Sequence, residues 1–256
     1  MKALIKRIIN NLGYDLKRIS QTSSATMNSF PPDFEADATE IISLVQPYTM
    51  TSIERLNTLI TAVKYIVSNN IKGSIVECGV WKGGSSMATA YMLQKLSDTQ
   101  RELYLFDTFE GMPPPSDKDI SYFNVYASNL LESENKETQQ IYRCYASLEE
   151  VKDNLYSTNY PSDKINFIQG KVEDTIPDRA PEKIALLRLD TDWYESTRHE
   201  LEHLFPRLVP GGVIIIDDYG YWKGCKQATD EYFINSKIPL LLNRIDLTGR
   251  IGIKLN

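Results

Sequence analysis

The fold is decided by the stretch IALLRLDTD at residues 184–192, a mostly apolar run that ends in carboxylates. A second stretch of this kind, VIIIDD, occupies residues 213–218. Such runs are typical of buried parallel strands, and ligands of an open α/β sheet bind at the carboxyl ends of its strands. Carboxylates crowded there repel one another unless a proton or a cation offsets their charge, and Mg²⁺ with oxygen ligands is the simplest such cation. The sequence therefore predicts a ligand site, with a bound metal ion, where these two strands end.

The rest of the chain alternates between strand-like and helix-like segments on both sides of these runs. Further strands are predicted at residues 74–78, 102–106 and 165–169, and strand-like segments at 240–244 and 250–255 close the chain. This alternation predicts a Rossmann-like, doubly wound α/β fold. Its sheet is expected to be mostly parallel and seven-stranded, with an antiparallel edge hairpin.

Residues 1–47 are predicted to form an N-terminal amphipathic helix and a linker, ahead of one α/β domain at residues 48–256. The helix is predicted at residues 1–19, where apolar residues at helical spacing are interspersed with lysine and arginine. Such a helix either lies on an anionic membrane surface or packs on its own core or a second subunit, and packing is the favoured interpretation. Within the domain, the long irregular stretch near residues 108–145 predicts a lid or acceptor-binding insertion.

The composition narrows the class of partner. The chain has 256 residues and a net charge of −6, and this acidic balance argues against nucleic acid as a partner. No apolar run is long enough to span a bilayer. Cys78, Cys144 and Cys225 lack the spacing of metal ligands, which favours a reduced, cytoplasmic setting. We expect a cytoplasmic protein, with peripheral contact at the inner face of the membrane as an alternative for the N-terminal helix, and a homodimer formed through its N-terminal segment.

A glycine-rich turn, ECGVWKGGSS, follows the first strand at residues 77–86. It is not the dinucleotide fingerprint, because Glu77 stands where the first glycine would be, and it is not a P-loop, because Ser85 replaces the lysine. An acidic residue at this turn repels phosphate and attracts a cation, so the turn suits S-adenosylmethionine, which has an amino group and a sulfonium but no phosphate. Asp107, which follows the second strand, is expected to bind ribose hydroxyls. Val172 and Glu173 are expected to flank the adenine.

The carboxylate cluster predicts both a metal site and a general base. Asp190, Asp217 and Asp218 could supply three oxygens to one Mg²⁺, with water and substrate hydroxyls completing the octahedron. Asp192, two residues after Asp190, lies close enough to act as the base. A hydroxyl of a sugar or a phenol is more acidic beside the metal, and its oxygen could then attack the sulfonium methyl group in line.

The helix after residue 193 contains HELEH at residues 199–203, a literal match to the H-E-x-x-H zinc signature. Leu201, Leu204 and Leu208 form the apolar face of that helix. At 3.6 residues per turn, His199 and His203 point to the opposite side, so they are expected to face solvent and not a metal.

Four motifs occur in order along the chain: ECGVWKGG at residues 77–84, DTFEGMP at 107–113, LDTDWYEST at 189–197 and PGGVIIIDDYG at 210–220. Together they resemble the macrocin O-methyltransferase (TylF-like) family, and the resemblance runs from about Tyr48 to Phe233. It implies a class I S-adenosylmethionine-dependent fold, Mg²⁺ dependence and methylation of a hydroxyl, often on a sugar. It does not extend to residues 114–142, which leaves the acceptor unidentified.

The resemblance also implies roles by position. It makes Asp190, Asp217 and Asp218 the metal ligands and Asp192 the base, and adds Thr51 to the cofactor site. The complete set of expected cofactor-binding residues is Thr51, Glu77, Gly79, Gly83, Ser85, Asp107, Thr108, Val172 and Glu173.

Three functions remain open at this stage. The first is a Mg²⁺- and S-adenosylmethionine-dependent O-methyltransferase whose acceptor is a small molecule containing a sugar. The second is methylation of a catechol or phenol, because the same metal cluster would serve adjacent hydroxyls of either kind. The third, of a different class, is a non-catalytic nucleotide-binding scaffold. The presence of every carboxylate that the chemistry needs argues against this third function.

Overall fold

The structure is a computed structural model that describes residues 30–255. The predicted N-terminal helix at residues 1–19 lies outside the described residues, so its partner stays a prediction. Within residues 30–255, no helix is long and apolar enough to cross a membrane.

Seven strands form one sheet in the order β3-β2-β1-β4-β5-β7-β6. Strands β1 to β5 run parallel to one another, and β7 pairs antiparallel with both β5 and β6. This confirms the predicted doubly wound sheet with an antiparallel edge. The strands are β1 (Ser74–Cys78), β2 (Leu103–Asp107), β3 (Ile165–Gln169), β4 (Ile184–Leu189), β5 (Leu208–Ile216), β6 (Asn243–Arg244) and β7 (Arg250–Ile253).

Helices cover the sheet and leave its central strands inaccessible to solvent. Every residue of β4 is buried, as expected for a strand packed on both faces. The α-helices are Ala36–Val45, Ile53–Ser68, Gly84–Lys95, Ala127–Leu131, Lys136–Arg143, Leu148–Ser157, Val172–Thr175, Tyr194–Leu204 and Lys223–Ser236.

The strand order creates a crevice between β1 and β4. From β1 the chain moves outward to β2 and β3 on one side, and then crosses to β4 and β5 on the other. A reversal of this kind separates the loops that follow the central strands, and ligands bind there. The register aligns Cys78 with Leu189 and Leu189 with Ile216, so β1, β4 and β5 end at the same level.

The insertion at residues 108–145 lies over the ends of these strands. It contains two short helices, Ala127–Leu131 and Lys136–Arg143, and is otherwise irregular. The indole nitrogen of Trp193 donates to the carbonyl of Pro113 over 3.0 Å, and Ser121 forms an isolated β-bridge with Trp222. The insertion is therefore fixed to the loops that follow β4 and β5.

Candidate active site

A cavity of about 330 Å³ opens at the carboxyl ends of the central strands. The insertion forms part of its wall through Ile141, Tyr142 and Cys144. The predicted cofactor residues that line it are Thr51, Glu77, Gly79, Ser85, Asp107, Thr108, Val172 and Glu173. Gly83 is the one predicted cofactor residue that is not among the described cavity-lining residues. The structure thus brings together residues that are spread along the sequence from Thr51 to Glu173.

The glycine turn packs directly against the end of β4. Gly79 has φ +83°, and a Cβ atom there would lie 2.0 Å from the carbonyl oxygen of Asp190. Only glycine combines this left-handed backbone with so close an approach. Gly83, with φ +89°, precedes the helix Gly84–Lys95, and its Cβ would meet the side chain of Leu155. Gly83 therefore shapes the entry into the helix.

Asp107 holds the glycine turn in place. Its Oδ2 accepts hydrogen bonds from the backbone N–H groups of Val80 (2.6 Å) and Trp81 (3.0 Å), and its Oδ1 accepts from Phe109 (2.8 Å). A carboxylate offers about four acceptor positions, so these bonds leave capacity for a ribose hydroxyl. The ribose-binding role stays a prediction.

Glu77 is buried and already bonded to protein groups. Its Oε1 accepts from Arg188 Nη1 at 2.5 Å, and its Oε2 accepts from the hydroxyl of Ser86. Burial raises the pKa of Glu77, and the facing Arg188 guanidinium opposes the rise. Much of the hydrogen-bonding capacity of Glu77 is thus taken up by Arg188 and Ser86.

Arg188 is the central cation of the site, and the sequence analysis missed it. Its side chain is 3% exposed, and its Nη2 lies 2.8 Å from Asp190 Oδ2 and 2.8 Å from Asp217 Oδ2. The same nitrogen donates to Thr51 Oγ1 over 3.0 Å, while Nη1 holds Glu77. The sequence feature that could have indicated its role is the single arginine within the otherwise apolar run IALLRL at residues 184–189. A buried charge needs partners of this kind to be tolerated.

Asp217 is bound by two arginines and is not among the described residues that line the cavity. Arg55 Nη1, from the helix Ile53–Ser68, approaches Asp217 Oδ2 at 2.5 Å and shares that oxygen with Arg188. Arg55 Nε also contacts Asp246 Oδ2 at 3.0 Å, which ties the helix to the turn between β6 and β7. The other oxygen, Asp217 Oδ1, is buried and has no hydrogen-bond partner within the described chain.

Three of the predicted carboxylates converge on the cavity wall. Asp190, Asp192 and Asp218 each offer an oxygen within 4.8 Å of the others. Burial raises the pKa of Asp192 to about 7, and the neighbouring Asp190 carboxylate adds to the rise. Burial likewise raises the pKa values of Asp190 and Asp218 well above the usual range. The predicted ligand set contains Asp217, whereas the carboxylates that the structure clusters include Asp192.

The two histidines of the HELEH segment lie elsewhere, and both are half-buried. A ring nitrogen of His199 is 3.0 Å from the carbonyl oxygen of Ile176, and the rings of His199 and His203 are 4.4 Å apart. Both side chains are partly exposed, and His199 is less exposed than expected because the loop at Ile176 contacts it. Neither histidine is among the described residues that line the cavity.

Aromatic side chains line the same cavity as the carboxylates. Tyr221 and Trp222 line the cavity, and the hydroxyl of Tyr221 lies 2.7 Å from that of Tyr142 in the insertion. The rings of Tyr221 and Trp222 meet edge to face at 5.0 Å. The insertion and the loop after β5 therefore close the cavity together.

This sheet order, with an antiparallel strand next to β5 and a cavity beyond the ends of β1 and β2, defines the class I S-adenosylmethionine-dependent methyltransferases. A solved structure of the O-methyltransferase NovP is similar over 82% of this chain and 83% of its own, with a TM-score of 0.69 and 29% sequence identity.

The chain belongs to the macrocin O-methyltransferase (TylF) family, whose model matches residues 7–251. The match extends beyond residues 48–233, over which the resemblance runs, to the N-terminal segment, to β6 and to the start of β7. The chain is accordingly an S-adenosylmethionine-dependent O-methyltransferase.

The names of two curated relatives state the molecule that each of them methylates. One, from Streptomyces olivaceus, is 8-demethyl-8-(2,3-dimethoxy-alpha-L-rhamnosyl)-tetracenomycin-C 4'-O-methyltransferase; it is 32% identical over 96% of this chain and 89% of its own length. The other, from Micromonospora griseorubida, is mycinamicin III 3''-O-methyltransferase; it is 32% identical over 79% of this chain and 76% of its own.

Proposed function

We propose that this protein methylates a hydroxyl group on the sugar of a glycosylated small molecule, with Mg²⁺ bound beside that hydroxyl. The observation that carries the proposal is the carboxylate trio Asp190, Asp192 and Asp218, which shares one cavity wall with the predicted cofactor residues. The name of the Streptomyces olivaceus relative, which specifies a rhamnosyl acceptor, supports a sugar.

The residues present fit a hard divalent cation. All the donors are carboxylate oxygens, which suit Mg²⁺. Asp217 Oδ1 and Asp218 Oδ2 are both buried without a hydrogen-bond partner in the described residues, an arrangement that costs free energy unless a further group binds them. We assign Asp190, Asp217 and Asp218 as the ligands. Bound Mg²⁺ supplies positive charge beside the acceptor hydroxyl and makes that hydroxyl more acidic.

Asp192 is the group that takes the proton from the acceptor hydroxyl. It lines the cavity, and a pKa near 7 matches a base that works close to neutral pH. Gly79 lets the turn approach the cofactor with bare backbone, and Asp107 fixes that turn. Tyr142 and Tyr221 both line the cavity, and the contact between their hydroxyls joins the insertion to the loop after β5. S-adenosylmethionine, when bound, supplies the methyl group that the hydroxyl oxygen receives.

An acceptor screen tests the proposal. Purified protein is incubated with isotopically labelled S-adenosylmethionine and panels of glycosides and catechols, with Mg²⁺ or with EDTA. Label in a glycoside, dependent on Mg²⁺, is the expected result. Label in catechols alone would replace the sugar with a phenolic acceptor. Transfer to a glycoside that persists unchanged in EDTA would refute the role of the metal.

A further inference from the structure

The candidate base sits on an unusual backbone. Asp192 has φ +67°, a left-handed conformation that non-glycine residues adopt when the surrounding structure imposes it. It lies in the short turn between β4 and the helix Tyr194–Leu204, where the Trp193 N–H donates to the carbonyl of Thr191 over 2.7 Å. The direction of the Asp192 carboxylate therefore depends on what fixes the residues on either side of it.

On the β4 side, Glu200 fixes the turn. Its Oε1 accepts a hydrogen bond from the Thr191 hydroxyl over 2.9 Å. Glu200 is completely buried on the helix Tyr194–Leu204, and its Oε2 is without a hydrogen-bond partner in the described part of the chain. Burial raises the pKa of Glu200 well above its usual range. Glu200 contacts the turn and is not among the described residues that line the cavity, so its role lies in the turn and not in substrate contact.

On the helix side, Asp119 fixes the turn from the insertion. Its Oδ1 accepts from the backbone N–H of Tyr194 over 2.7 Å, and its Oδ2 accepts from the N–H and the hydroxyl of Ser116. Asp119 is completely buried. The helix has Trp193 at its N-cap, and an indole cannot accept a hydrogen bond in the way a capping side chain does. Asp119 thus caps this helix from another part of the chain.

We propose that Glu200 and Asp119 are positioning residues that hold the Asp192 carboxylate toward the acceptor hydroxyl. They fix the residues directly before and two after Asp192, so the strained backbone cannot relax. The role rests on the proposed function, in which Asp192 is the base. It also gives the insertion a second task, because Asp119 couples the wall of the acceptor cavity to the base.

The sharpest test removes one hydroxyl. Thr191→Val deletes the donor to Glu200 with little change in volume, and its matched control is Thr229→Val, which deletes a buried hydroxyl that donates to the carbonyl of Cys225 over 2.8 Å in another helix. We expect Thr191→Val to lower kcat by about tenfold to a hundredfold, the effect of a small misplacement of a reacting group. The acceptor KM, the affinity for S-adenosylhomocysteine and the melting temperature should match those of the control.

Variants of the two acids separate positioning from general structural support. Glu200→Gln and Asp119→Asn each keep the accepting oxygen, and we expect them to retain most of the wild-type kcat, whereas Glu200→Leu should lose as much as Thr191→Val. The double variant Thr191→Val with Glu200→Leu should lose no more than either alone, because the two groups act through one bond.

A kcat for Thr191→Val equal to that of Thr229→Val would overturn the inference, as would additive losses in the double variant. The comparison of Thr191→Val with Thr229→Val stands even if Glu200→Leu does not fold. Failure of the proposed function looks different, because the wild-type protein itself would then transfer no methyl group to a glycoside.

Discussion

Arg188 illustrates how single residues organise this site. It lies in the middle of an apolar strand, yet it contacts Glu77 on the neighbouring strand and Asp190 and Asp217 at the strand ends. The register places Glu77 directly opposite Arg188, so one guanidinium joins the glycine turn to the carboxylate cluster. Its planar fork presents five donors in fixed directions to several oxygens at once, whereas lysine presents three donors from a single nitrogen.

Arg188→Met should therefore remove the cation that Glu77, Asp190 and Asp217 share, and leave only Asp217 with a second arginine, Arg55. We expect a loss of about 3–5 kcal/mol in the free energy of unfolding, typical of breaking a buried ion pair from one side. The matched control is Arg198→Met, whose partners Glu195 and Glu202 lie on the surface. Its cost should stay within about 1 kcal/mol. Urea unfolding of both variants measures the difference, and equal losses would contradict the central position of Arg188.

The roles of the individual aspartates can also be distinguished by single substitutions. Asp192→Asn should lower kcat by about a hundredfold to ten-thousandfold, the usual contribution of a general base, and should leave Mg²⁺ affinity largely intact. Asp217→Ala should instead weaken Mg²⁺ binding. Calorimetric titration of Mg²⁺ decides between the two. If Asp192→Asn weakens Mg²⁺ binding as much as Asp190→Asn does, then Asp192 is a ligand, as its place in the clustered trio would allow.

At the scale of elements, the glycine turn and the loop after β4 form one packed unit. Gly79 approaches the carbonyl of Asp190 so closely that the cofactor side and the carboxylate side of the cavity cannot move independently. Asp107 adds the end of β2 to this unit through its bonds to Val80 and Trp81. A change in the turn should therefore affect both halves of the site.

Gly79→Ala should abolish binding of S-adenosylhomocysteine and destabilise the fold by several kcal/mol, since its Cβ would overlap backbone atoms. Gly83→Ala is the matched control. It carries the same left-handed strain, about 1–2 kcal/mol, but its Cβ would meet the movable end of the Leu155 side chain. Thermal melting and calorimetry distinguish them. Retained cofactor binding in Gly79→Ala would show that the close approach is dispensable.

Most strands and helices could be predicted from the sequence, whereas the long-range contacts between them could not. Apolar runs that end in carboxylates indicated β4, β5 and the site beyond them, because strand ends of a parallel sheet share one edge. The pairing of Arg55 with Asp217 spans 162 residues, and the cap of Tyr194 by Asp119 spans 75. Contacts of this kind depend on how a helix or an insertion packs in three dimensions, which local sequence patterns do not encode.

For the whole molecule, the family match places the N-terminal segment from residue 7 within the family pattern. The basic amphipathic pattern at residues 1–19 predicts a helix that packs on its own core or on a second subunit, or that lies on an anionic membrane.

Deletion of residues 1–19 tests these alternatives. If packing on a second subunit holds, the deletion should convert a dimer into a monomer in light scattering, and binding to anionic vesicles should be weak with or without the segment. Strong vesicle binding that disappears on deletion would instead favour the membrane. A truncated protein that keeps the wild-type oligomeric state and vesicle binding would exclude both of these roles and favour packing on the protein's own core.

The most direct test of the function is methyl transfer from labelled S-adenosylmethionine to a rhamnosyl glycoside, measured with Mg²⁺, with EDTA, and with EDTA followed by excess Mg²⁺. We predict transfer to a sugar hydroxyl with Mg²⁺, its loss in EDTA and its recovery when Mg²⁺ is restored. Transfer at the same rate in all three conditions would contradict the metal site at Asp190, Asp217 and Asp218. Absence of transfer to any glycoside, with binding of S-adenosylhomocysteine intact, would contradict the sugar acceptor.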